Sequence, residues 1–191
     1  MDVITIFISA IFVNNILLAQ FLGNCPYLGC SREKSVAIGM GGAVVFVTIM
    51  ATLFTWIMQH FVLDVFDLGY LQTIVFIVVI AGLVQFVEMF LKKMMPSLYS
   101  ALGIYLPLIT TNCAVMGVAI LVERKGYSLV TSLLYACGYS LGFLLALLLM
   151  AGVRERLDTC RIPKMMAGTP IALVMAGLMS LAFMAFKGMA Q

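Results

Sequence analysis

Two short stretches repeat one pattern around a thiol. Leu22–Gly29 reads LGNCPYLG and Thr110–Gly117 reads TTNCAVMG, so Asn-Cys-x-x-x-Gly begins at Asn24 and again at Asn112. Cysteine thiolate is a soft ligand that selects iron–sulfur clusters or zinc. Asparagine is costly at membrane depth, where polar residues mark function by default. The neighbours Gly23 and Thr111, with Asn24 and Asn112, leave amide groups free to approach sulfur, and hydrogen bonds to sulfur tune a cluster's potential. A cluster takes four protein ligands, and Cys25 with Cys113 makes two. A related partner chain giving two more would complete a [2Fe–2S] site at a dimer interface. Zinc is the second candidate, although a closed structural zinc has little use inside a bilayer. The competing account is that both thiols are packing residues, since free cysteine behaves as a small hydrophobe.

What holds these residues in place follows from composition. Of 191 residues, 64% are hydrophobic and 10% charged, and the mean hydropathy is +1.16. Soluble domains carry about 25% charged residues, so the chain reads as an integral membrane protein, a single membrane domain over 1–191. The net charge of +3 comes without a basic stripe or nucleic-acid motif, so nucleic acid is not an expected partner. The apolar run from Val3 lacks a basic leader and a cleavage site and reads as a retained segment. A span takes about 20 apolar residues, and charges and turn residues divide the chain into six, near 3–22, 37–58, 70–91, 98–122, 127–151 and 169–187. Lipid leaves only helix as a structure that satisfies each span internally.

Basic residues set the orientation. Arg32, Lys34, Lys92, Lys93, Arg154, Arg156, Arg161 and Lys164 fall in loops one, three and five. Only Arg124, Lys125 and Lys187 fall on the other side. Both termini are therefore expected on the outer side of the membrane.

Two runs are unusually long. Residues 3–31 and 94–122 are each 29 residues without a charge, too long for one straight span and too short for two. Each carries its Asn-Cys motif in its second half, and the two travel in opposite directions. That suggests an inverted repeat, about 1–93 and 94–191, of the kind whose sites sit on discontinuous helices near the midplane. As straight helices, the runs would hold the two thiols roughly 20 Å apart along the membrane normal at ~1.5 Å per residue. A shared site therefore requires both to break, the first at Asn14-Asn15, Gly23 and Pro26, the second at Gly103, Pro107 and Asn112.

Other polar residues have simpler accounts. Asn14, Asn15, Gln20, Thr110 and Thr111 read as caps for the breaks rather than ion ligands. Cys30 and Cys137 read as packing, and Cys160 as a reduced loop thiol. Glu88, near Gln85, lies within snorkelling reach of the cytoplasmic surface, beside Lys92. Asp64 and Asp67 read as solvated, and His60 as an interfacial residue. No Walker loop, dinucleotide fingerprint or Ser/His/Asp set is present, so this chain is expected to bind neither NAD nor ferredoxin itself, and no flavin is expected on it.

The stretches VNNILLAQFLGNCPYLG, LGIYLPLITTNCAVMGVA, RERL and ALVMAGLMSLAFMAF resemble the A-subunit family of the Rnf ion-translocating complexes, called Rsx in some bacteria. The resemblance covers nearly the whole chain. The E subunit of the sodium-pumping NADH:quinone reductase is related but differs after the first cysteine, where Pro26 favours the Rnf side. The resemblance implies a bacterial inner-membrane complex that couples electron transfer between ferredoxin and NAD to sodium or proton movement. It implies partnership with a homologous E-type subunit of opposite topology and with subunits of the B, C, D and G types. It also implies that Cys25 and Cys113 ligate a shared [2Fe–2S] cluster, whereas Cys30 departs from the family pattern. The alternative left open by the residues alone is a small inverted-repeat transporter without a redox centre, and a third reading is a membrane scaffold.

Overall fold

The computed structural model describes residues 7, 9–63, 69–94, 108–109, 111–161, 163 and 165–189. Asp64, Asp67, Gly103, Pro107, Thr110 and Lys164 lie outside the described residues. All regular structure among the described residues is helical. A π-helical turn at Ser9–Val13 is followed by α1 (Asn24–Cys30), α2 (Lys34–Met58), α3 (Gln72–Met94), α4 (Cys113–Arg124), α5 (Leu129–Asp158) and α6 (Thr169–Met189).

The expected spans two, three, five and six correspond to α2, α3, α5 and α6. Lys34–Phe61, Gln72–Phe90 and Leu129–Asp158 are long and apolar enough to cross a membrane, and Thr169–Ala185 is a shorter apolar helix. The fifth helix runs past the expected end at 151 to Asp158, so Arg154 and Arg156 ride on helix rather than on a loop. Its 30 residues reach ~45 Å, beyond the ~30 Å hydrocarbon core. It stops where Thr159 Oγ1 and Cys160 Sγ both donate to the Arg156 carbonyl, at 2.7 and 3.4 Å.

The core is a layered contact of α2, α4 and α5. Met40, Val44, Val47 and Ala51 recur at helical spacing on α2; Val115, Val118, Ala119 and Val122 do so on α4. Ala136, Tyr139, Phe143, Leu147 and Met150 form the facing stripe of α5. Thr48, Thr52 and Thr55 are buried in α2, and each hydroxyl donates to the carbonyl four residues earlier, at 2.6–2.8 Å. That back-bonding lets hydroxyls sit in an apolar interface. By contrast, only 17% of the apolar window of α3 is buried, so most of that helix faces outward.

The first long run is not one helix. Regular structure ends at Val13 and resumes at Asn24. Phe21 and Gly23 both adopt left-handed backbone, with φ of 56° and 90°, which a continuing right-handed helix does not allow. Phe21 is a bulky residue in a conformation that ordinarily suits glycine. The asparagine expected to cap this break does so. Asn15 is fully buried; its Nδ2 donates to the carbonyls of Ile11 at 3.2 Å and Gly142 at 2.8 Å. Its Oδ1 accepts from Leu17 N–H at 3.0 Å and Leu18 N–H at 3.4 Å. Ser180 of α6 then donates to the Leu18 carbonyl at 2.7 Å. Asn14 donates to Ser9 Oγ at 3.2 Å. One side chain thus ties the π-helical turn, the break and α5 together.

Asn15→Leu keeps the volume but leaves the Leu17 and Leu18 amides without their acceptor. We expect a loss of about 2–3 kcal/mol, since each unmet buried group costs 1–3. The readout is a lowered Tm in detergent; an unchanged Tm would refute this account of the break.

Candidate functional site

The break brings the two motifs together. The Gly23 amide donates to Cys113 Sγ at 2.9 Å, across 90 positions of sequence. Two residues on, Cys25 occupies the second position of α1, while Cys113 is the first residue of α4. Both are free, exposed thiols. The ~20 Å separation that straight helices impose therefore does not hold, because the first run abandons helix before it reaches its cysteine.

Local sequence explains the close approach. Gly23 has positive φ, and a Cβ built there would lie 2.8 Å from the Phe143 ring, 3.1 Å from the Ala114 Cβ and 3.3 Å from Asn112 Oδ1. Only glycine combines that backbone with that proximity. Gly117 leaves room from the other side, since a Cβ there would fall 2.5 Å from the tip of the Leu22 side chain. The glycine that closes the second Asn-Cys-x-x-x-Gly is thus the seat for the residue that opens the first stretch.

The asparagines differ in role. Asn112 caps α4, its Oδ1 accepting from Ala114 N–H at 3.0 Å, which satisfies a donor that a helix start leaves orphaned. Its Nδ2 is buried and has no hydrogen-bond partner. Asn24 is already within α1, and its Nδ2 donates to the Phe21 carbonyl at 3.1 Å. The two motifs therefore sit one residue out of register relative to their helices. Thr111 is exposed beside the cap. The positive end of the α4 dipole lies at Cys113, favourable for a negatively charged group held there.

The residues fit half of a cluster site. Both thiols are exposed, Cys25 follows two residues after the amide that bonds Cys113, and a backbone N–H to sulfur is the kind of bond that tunes iron–sulfur centres. Among the described residues no three His, Cys, Asp or Glu side chains gather to hold a metal. Any four-thiolate group here would need two ligands from another chain.

Sequence reasoning missed the part played by α5. Phe143 walls the site at Gly23, and Arg154 Nη1 donates to the Leu28 carbonyl at 3.0 Å, bracing the end of the helix that carries Cys25. The first arginine of RERL carries only an orientation signal in the sequence, and nothing local marks its contact 126 positions away. Cys30 is buried, as packing requires, whereas Cys160 is exposed. His60 stacks on Trp56 at 5.2 Å, and Glu88 is half-buried with Gln85 exposed. At the opposite end, Lys125 bonds the Tyr135 hydroxyl, which lies 2.7 Å from that of Tyr139.

Comparison with known proteins bears on this site. Residues 3–190 match the family described as "Rnf-Nqr subunit, membrane protein". The A subunit of the Na(+)-translocating ferredoxin:NAD(+) oxidoreductase complex of Acetobacterium woodii is 55% identical over 189 residues, covering 99% of this chain and 98% of that one. The A subunit of the ion-translocating oxidoreductase complex of Syntrophotalea carbinolica is 55% identical over 188 residues, covering 98% and 97%. The corresponding protein of Cronobacter sakazakii is 49% identical over 190 residues, covering 100% and 98%.

Alkylation in mild detergent should modify Cys25 and Cys113 and spare Cys30, read by peptide mass spectrometry. Gly23→Ala should cost about 1–3 kcal/mol through overpacking and change the labelling rate of Cys113. A variant with wild-type Tm and labelling would show that this approach is looser than the geometry requires.

Proposed function

The chain belongs to the Rnf-Nqr family of membrane subunits, and we propose that it serves as the A subunit of an ion-translocating ferredoxin:NAD oxidoreductase, with Cys25 and Cys113 as half the ligands of an intramembrane [2Fe–2S] cluster. The observation that carries this reading is the Gly23 N–H bond to Cys113 Sγ at 2.9 Å. It joins two cysteine motifs that straight spans would hold apart. When bound, such a cluster takes up and releases single electrons.

The work of this chain's own residues follows from their places. Cys25 and Cys113 present thiolates from the starts of α1 and α4. The Gly23 amide stabilises negative charge on the Cys113 sulfur. Phe143 and Ala114 pack against Gly23 and hold its amide in place. Asn112 fixes the first turn of α4, so the ligand's direction does not drift. Arg154 and Asn15 hold the two ends of the broken run.

A homologous E-type subunit of opposite topology supplies the other two thiolates in this reading. Subunits of the B, C, D and G types carry electrons to and from it, and sodium or proton movement is coupled within the complex. The chain lies in the inner membrane with both termini outside, as an inverted repeat whose first and fourth spans are broken and re-entrant.

Electron paramagnetic resonance on the purified complex tests this. Cys25→Ser and Cys113→Ser should each remove one [2Fe–2S] signal while the subunits still assemble. If both variants assemble and keep every signal, the cluster assignment fails and a transporter or scaffold role takes its place. Topology is checked separately. A reporter that works only outside the cytoplasm should be active when fused after Gln191, and an inactive fusion would reverse the orientation.

A further inference from the structure

A cavity of about 460 Å³ opens between the end of α5, the start of α6 and the turn after α1. Arg32 and Arg154 both line it, together with Asp158, Gly168, Leu157 and Ile171. It lies away from the Gly23–Cys113 contact. Within it Arg32 repels the Arg154 guanidinium, and Asp158 attracts it. Neither arginine forms an ion pair among the described residues, where the salt bridge present is Lys34–Glu155. Two like charges therefore converge on one cavity, with a carboxylate beyond pairing distance.

An anion relieves that repulsion. The guanidinium fork matches phosphate oxygens two at a time. The 21-residue helix α6 begins at Thr169 beside Gly168, which adds the positive end of a helix dipole. We propose that this cavity binds a phosphate group, and specifically the headgroup phosphate of an anionic phospholipid. The lipid source follows from the remaining walls: Leu157 and Ile171 give an apolar side where helices leave the bilayer. Basic pockets between membrane helices at the cytoplasmic surface recognise such headgroups.

The site is tied to the cysteine pair. The Arg154 guanidinium that lines the cavity also donates to the Leu28 carbonyl at 3.0 Å. A phosphate held on Arg154 therefore anchors the strut that fixes α1 and Cys25.

The test uses the purified complex, delipidated in detergent and given phosphatidylglycerol, phosphatidylcholine or inorganic phosphate. Native mass spectrometry reads bound lipid, and phosphate binding is measured by isotope exchange. Arg32 makes no hydrogen bond or ion pair to lose among the described residues, so Arg32→Gln should fold. Wild type should retain phosphatidylglycerol over phosphatidylcholine, and Arg32→Gln should lower that retention about fivefold, the factor expected for one surface arginine. Arg32→Lys should restore part of it. Bound lipid should also slow alkylation of Cys25 in wild type. Phosphate binding without lipid preference would keep the site but overturn the lipid source. Equal behaviour of wild type and Arg32→Gln toward all three probes would overturn the site.

Discussion

A chain that leaves the helix inside an apolar bundle uncovers amides and carbonyls that lipid cannot solvate. Residues 14–23 are organised around that cost. Asn15 makes four hydrogen bonds from one buried side chain, two to carbonyls and two to amides. Ser180 takes a further carbonyl from the same segment. With those groups satisfied, the chain can turn at Phe21 and Gly23. Without them, the lowest-energy course for an uncharged run of this length is a continuous helix.

The cysteine pair depends on this break. A helix continued through residue 25 would carry the first motif toward the membrane surface and away from Cys113. Breaking it lets Gly23 lie against Asn112 and Ala114 and donate to the second sulfur. The packing partners are supplied by α5, which contributes Gly142 to the cap, Phe143 to the wall and Arg154 to the brace of α1. One long helix thus spaces three separate supports along its length.

Much of the membrane character was legible in the chain. Charge placement located the spans that became α2, α3, α5 and α6, because few charged residues can stay in hydrocarbon and their positions mark its limits. The break was legible from Asn14-Asn15 and Gly23, residues that helices in lipid tolerate poorly. Cys25 and Cys113 stood out through a repeated spacing. Less legible was the difference between the asparagines: Asn112 is a cap and Asn24 is a helical residue, although their motifs read alike. Cap or helix is decided by the residue before each, and left-handed Gly23 starts α1 one position sooner.

Residence in a bilayer, the approximate limits of four helices and the two thiols worth comparing were all written in the order of residues. Those are properties of single residues and short spacings, set by transfer free energy and local backbone preference. That Gly23 meets Cys113, that Asn15 reaches Gly142 and that Arg154 holds Leu28 emerged only in the folded chain. Each joins residues 90 or more positions apart. Such contacts arise from how α2, α4 and α5 pack, and packing is a property of surfaces in three dimensions that no local pattern encodes.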